Sequence, residues 1–250
     1  MRLSGRAFVI IAAALGLLIV VSTNQVLPAT SPYQAQMRVW LAARAAGITT
    51  YLLLTVQVFL GLVLSHPVNQ STWKLSKRLF PWHENLLVFV VAFLAAHIVA
   101  IVADPYAGVG LPGAFIPGLS SYRSSAVALG TLSLYALLVT GLTARYTKLL
   151  PPGMWLKLHR LSALVFVLAW MHGVLSGSDS DGLLVMYVTT GALVLGAAAY
   201  RYWVAKRRRP TFASSLVAAS VTPPSSAAPA IAAAPAASPR PDRPPEVSPS

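Results

Sequence analysis

Four of the five histidines stand as two pairs at the ends of two apolar runs: His83 and His97 are 14 positions apart, and His159 and His172 are 13 apart. Ligand-capable side chains are costly at membrane depth, so they mark function there. Imidazole is an ordinary haem ligand, and the interior of an apolar helix bundle suits the macrocycle. The chain has no cysteine, which excludes disulfides, thiolate zinc sites, iron–sulfur clusters and cysteine nucleophiles. Any metal is left to histidine or to the six acids. The candidate site residues are therefore cofactor ligands, and no catalytic side chain is assigned.

The elements that must position these histidines are membrane spans. Of 250 residues, 56% are apolar and only 10% charged, far from the roughly 25% charged of a soluble domain. A formal charge of +13 suggests nucleic-acid binding at first sight. The Lys and Arg residues flank apolar runs instead of forming one basic face, which fits membrane topology and excludes a nucleic-acid partner. Six stretches reach the roughly 20 residues that a helix needs to cross the bilayer: 7–27, 47–65, 85–103, 124–144, 161–176 and 182–200. Nine of the 19 prolines fall between these stretches and ten from Pro210 onward, so none is expected inside a span. The fold class expected is all-α, a six-helix transmembrane bundle with a disordered C-terminal tail.

One side receives Arg2, Arg6, Lys74, Lys77, Arg78, Arg145, Lys148, Lys157, Arg160, Arg201 and the run Lys206–Arg209. The other receives only Arg38, Arg44 and Arg123 beside Asp104, Asp179 and Asp181. Both termini are then cytoplasmic in a multi-pass protein of the bacterial inner membrane. The first span is read as an uncleaved helix, since its apolar run exceeds a signal peptide's and no small-residue cleavage site follows. Residues 210–250 hold ten prolines among Ala and Ser, a composition that cannot build a core. Domain boundaries follow: 1–37 for the first helix and outer loop, 38–205 for the haem-binding core, 206–250 for the basic run and tail.

The third and fifth spans run in the same direction, so His83 and His159 share the cytoplasmic level and His97 and His172 the outer one. Each level offers two imidazoles to one haem iron. The steps correspond to rises of roughly 21 and 20 Å at about 1.5 Å per residue. Fourteen residues return to within about 40° of the same helix face, but thirteen leave an offset of about 140°. The fifth span therefore needs a local distortion, or His159 must precede the regular helix. His66, at the edge of the second span, is read as an interfacial residue. Gly108-Val-Gly-Leu-Pro-Gly113 fits a dinucleotide fingerprint only in letters, lacks the strand and helix around it, and is read as a turn-rich loop. Asn69-Gln-Ser71 is a glycosylation triplet on the wrong side of the membrane.

Over residues 38–203 the sequence resembles the transmembrane domain of the ferric reductase and NADPH oxidase superfamily, especially small bacterial members without a fused reductase domain. The resemblance rests on five features: His83-x13-His97, His159-x12-His172, Trp155-Leu-Lys-Leu-His-Arg-Leu-Ser entering the fifth span, Met171-His-Gly-Val-Leu-Ser-Gly-Ser-Asp179 leaving it, and Arg44-x-x-Gly47 entering the second. It implies two b-type haems, held by His83 with His159 and by His97 with His172, and it places Arg44 near the outer one, to neutralise a propionate or attract an anionic acceptor such as a chelated ferric ion; the alternative for Arg44 is a plain interfacial anchor. Only about 50 residues follow Tyr200, so the donor is expected to be a separate cytoplasmic flavin or NAD(P)H protein, or a quinol. The acceptor is external, such as a ferric chelate. The chain is then an oxidoreductase, or the electron-delivery subunit of a separate periplasmic reductase, similar to the membrane haem partner of bacterial methionine sulfoxide reductase. A transporter or scaffold using the histidines as proton relays is the third reading.

Overall fold

The structure, a computed structural model, describes residues 7, 10–11, 13–18, 21, 30–68, 74–177 and 181–207. Among them the regular structure is helical throughout, as expected. Five helices are long and apolar enough to cross a membrane. The described positions of the expected first span are all helical, and buried Gly16 approaches α2, defined below: a Cβ there would lie 3.3 Å from the Ala92 carbonyl oxygen. The rest of that span, the 69–71 triplet and the tail fall outside the described residues.

Helix α1 runs from Pro32 to Leu64. Ser31 caps it, its hydroxyl accepting the Gln34 N–H at 3.2 Å, while the Gln34 side chain accepts from the Thr30 N–H and hydroxyl at 3.0 and 2.6 Å. Proline in the first turn costs nothing, because that N–H has no helical partner. At 33 residues α1 is about 50 Å long, which exceeds the roughly 30 Å hydrocarbon layer. It starts well before the expected span, and the expected boundary at 37/38 falls inside it. Arg38 and Arg44 are thus helical residues.

Helix α2 runs from Lys74 to Ala103 and corrects one expectation: Pro81 lies inside it. The proline leaves the Lys77 carbonyl without its helical donor. This happens among exposed residues in the early turns of the helix, where water can replace the bond. The buried Asp104 carboxylate closes α2 by accepting the Tyr106 and Ala107 N–H groups at 3.4 and 2.8 Å.

The glycine-rich loop holds Gly108 and Gly110 at φ +61°, then forms a short helix, α3, over Gly110–Phe115. Pro112 sits in its first turn, where the missing N–H is harmless; the loop is less irregular than the sequence suggested. Helix α4 covers Ser124–Arg145. It follows Arg123, which is held left-handed at φ +37° while its guanidinium donates to the Leu175 and Gly177 carbonyls at 2.7 and 3.0 Å. The fifth span divides into α5, Met154–His159, and α6, Ser162–Ser176; α7 spans Leu184–Arg207.

Helix α1 packs along α2, and α4 along α6, giving two walls; α1 also touches α6 and α7. Along their backbones α2 and α6 scarcely meet. Midway between the two histidine levels Val90 and Phe166 are fully buried, and Phe166 belongs to an apolar cluster in which Tyr51 stacks on it at 6.1 Å.

Candidate functional site

A helical carbonyl normally accepts one N–H from four residues later, and it keeps a second lone pair that the side chain on that turn usually screens. Where the later residue is glycine, the screen is missing. Three of the four histidines use this opening. His97 donates its Nδ1–H to the Ala43 carbonyl at 2.7 Å, with its ring against Gly47. His172 does the same with the Ala126 carbonyl at 2.8 Å and Gly130. His83 does so with the Gln57 carbonyl at 3.1 Å and Gly61. Added Cβ atoms would stand 2.9, 2.8 and 3.2 Å from these rings at Gly47, Gly130 and Gly61.

A carbonyl only accepts, so each of these Nδ1 atoms must carry the proton and each Nε2 is left with its lone pair. Gln57 adds a return bond, its side-chain amide donating to the His83 carbonyl at 2.8 Å. His159 departs from the pattern. Ala144 stands where the corresponding glycine would be, 14 residues after Gly130. The Nδ1 of His159 is buried and makes no hydrogen bond of ordinary geometry, although the Thr140 carbonyl lies near it.

The histidines meet across the gap between the walls as the sequence predicts. His97 and His172 have ring centres 6.3 Å apart, and His83 and His159 6.1 Å apart. The first pair forms the upper level and the second the lower. The awkward 13-residue step is resolved by the break after His159. There the Leu161 and Ala163 N–H groups reach back only three residues, to Leu158 and Arg160. A tighter turn rotates the chain further per residue and brings His159 round to the face of His172.

The spacing tests whether a bis-imidazole metal centre fits. Two metal–nitrogen bonds of about 2 Å, with each ring centre about 1 Å behind its nitrogen, require roughly 6 Å. Both pairs meet this. Among the described residues no three His, Asp or Glu side chains converge into a chelating cluster, so a metal at either level would draw at most two ligands from these side chains.

The upper pair opens onto a cavity lined chiefly by apolar side chains, and among the described residues Arg44 contributes the one formal charge in that lining. Trp40 and Tyr122, packed edge to face at 5.6 Å, form part of its wall, and the Tyr122 hydroxyl donates to the Ser176 carbonyl at 2.9 Å. His66 is not part of either pair. It accepts the Val68 N–H at 3.3 Å and stacks on Tyr200 at 5.3 Å.

No family model, curated protein or solved structure matches this chain. What the sequence reading missed are the seats behind the histidines. One signal was visible: Gly47 and Gly61 repeat at the same 14-residue interval as His83 and His97. The tyrosines of the cavity wall, Tyr51 and Tyr187, had no such signal.

Proposed function

We propose that this chain is a membrane cytochrome holding two b-type haems, one between His97 and His172 and one between His83 and His159, and carrying electrons across the bilayer. The observation that carries the reading is the two facing imidazole couples at about the spacing of axial ligation, with Nδ1 tied back in three of the four rings. When bound, haem supplies one-electron chemistry by cycling between ferric and ferrous iron. The chain's own residues set the tautomers, orient the rings and separate the two levels by roughly 21 Å along α2.

Lys74, Lys77, Arg78, Arg145, Lys148 and Lys157 flank the segments that carry His83 and His159, which supports a cytoplasmic lower end. The donor there is a flavin or NAD(P)H protein, or a quinol from the membrane. The acceptor at the upper end is a ferric chelate or a periplasmic redox protein, which makes the chain an oxidoreductase or its electron-transfer subunit. A proton relay fits less well. It needs histidines that exchange protons at both nitrogens, whereas three of these hand Nδ1–H to carbonyls that cannot pass it on.

The test is a dithionite-reduced minus oxidised spectrum of the purified full chain, with haem quantified per polypeptide. Two low-spin b-type haems per chain are expected. Colourless protein from cells well supplied with haem would overturn the proposal.

A further inference from the structure

Tyr187 is buried, with 5% of its surface exposed, yet it lines the upper cavity. Its placement is unusually constrained. The Trp170 indole N–H donates to its backbone carbonyl at 3.0 Å, and its ring packs on Tyr51 at 5.4 Å. Its hydroxyl lies against Gly173, where an added Cβ would come within 2.8 Å of the oxygen. Gly173 directly follows His172, so the missing side chain beside a proposed haem ligand is what admits the phenol. No described residue takes a hydrogen bond from this hydroxyl. Tyr51 differs, because its own hydroxyl is paired with Thr190. Arg44 lines the same cavity. A buried phenol and a guanidinium in the wall of a largely apolar pocket offer two donors to an anion whose body is apolar.

Resting on the haem reading above, we propose that Tyr187 is a cofactor-binding residue: its hydroxyl, together with Arg44, holds a carboxylate of the porphyrin gripped by His97 and His172. The lower level has no share in this seat, so the two sites differ in how they recognise the edge of the macrocycle. The hydroxyl donates and the carboxylate accepts; no proton is transferred. Hydrogen bonds to charged acceptors are the strong kind, each worth roughly a tenfold change in dissociation or more.

The experiment uses full-length chain produced without haem and loaded in detergent with either haem b or its dimethyl ester. Release to an excess of a haem-scavenging protein is then followed. His172→Ala identifies the upper-site phase by removing it. In the unaltered chain the ester should leave the upper site roughly tenfold faster than haem b. Tyr187→Phe should speed haem b release at that site by a similar factor, shrink the ester's disadvantage there, and leave the lower-site phase unchanged. Retention of the lower-site phase also shows that the variant is folded. An ester disadvantage at the upper site that is the same with and without the hydroxyl overturns the role of Tyr187 while leaving the cytochrome reading intact. Failure of either compound to bind at either level overturns both.

Discussion

The upper and lower histidine pairs have nearly the same ring separation, 6.3 and 6.1 Å, but they are not held equally. Both upper rings are fastened through short Nδ1–H bonds, 2.7 and 2.8 Å, onto carbonyls laid open by Gly47 and Gly130. At the lower level His83 has a longer bond of 3.1 Å, and His159 is only loosely approached by the Thr140 carbonyl. A carbonyl acceptor behind an imidazole makes its other nitrogen a stronger donor and fixes its direction. The difference teaches that ligand spacing and ligand support are separate properties: the first is shared by both levels, and the second is concentrated at one.

The strongest way to break this comparison is to remove a ligand. His97→Ala or His172→Ala should each remove about half the haem and leave the lower site loaded, and His83→Ala should do the reverse. Retention of two haems in all three variants would dissolve the distinction between levels. The seats come next. Gly130→Ala places a methyl about 2.8 Å from the His172 ring, so it should empty or severely weaken the upper site. Gly61→Ala, with 3.2 Å to His83, should only loosen the lower one. Haem per chain and release rate measure both, and equal losses would show that the seats do not matter. The smallest effect sharpens the contrast. Ala144→Gly should let the His159 Nδ1 close onto the Thr140 carbonyl, make that imidazole more donating, and move one midpoint potential to a more negative value. A redox titration should show the other wave unmoved.

Much of this was legible in the letters. Histidines stand out against apolar runs, and the spans around them follow from hydropathy because lipid-facing helices are apolar all round. The N-terminal half of α1 was not legible: Gln34, Gln36, Arg38 and Arg44 interrupt the apolar run, although a capped helix extends through them and past the hydrocarbon layer. The break after His159 was anticipated only as a geometric need, from the 140° mismatch, and its form as a tight turn came from the coordinates. The seats were hidden for a deeper reason. Their acceptors are backbone carbonyls, which every residue has, and glycine in a membrane helix has many uses. Tyr187 was equally silent, since its significance depends on Gly173 fourteen residues before it and on a cavity formed by other helices.

Each of the three fastened histidines is tied to the helix immediately before its own span, α1 to α2 and α4 to α6. Every such bond therefore closes inside a hairpin of consecutive segments. As the polypeptide is threaded into the membrane, α1 and α2 can set the protons of His83 and His97 before α4 has been made, and α4 can do the same for His172 before α7 emerges. Each half of the bundle thus carries its own ring-orienting bonds, and the proposed cofactor, arriving late, would have only the closing of one half against the other to wait for.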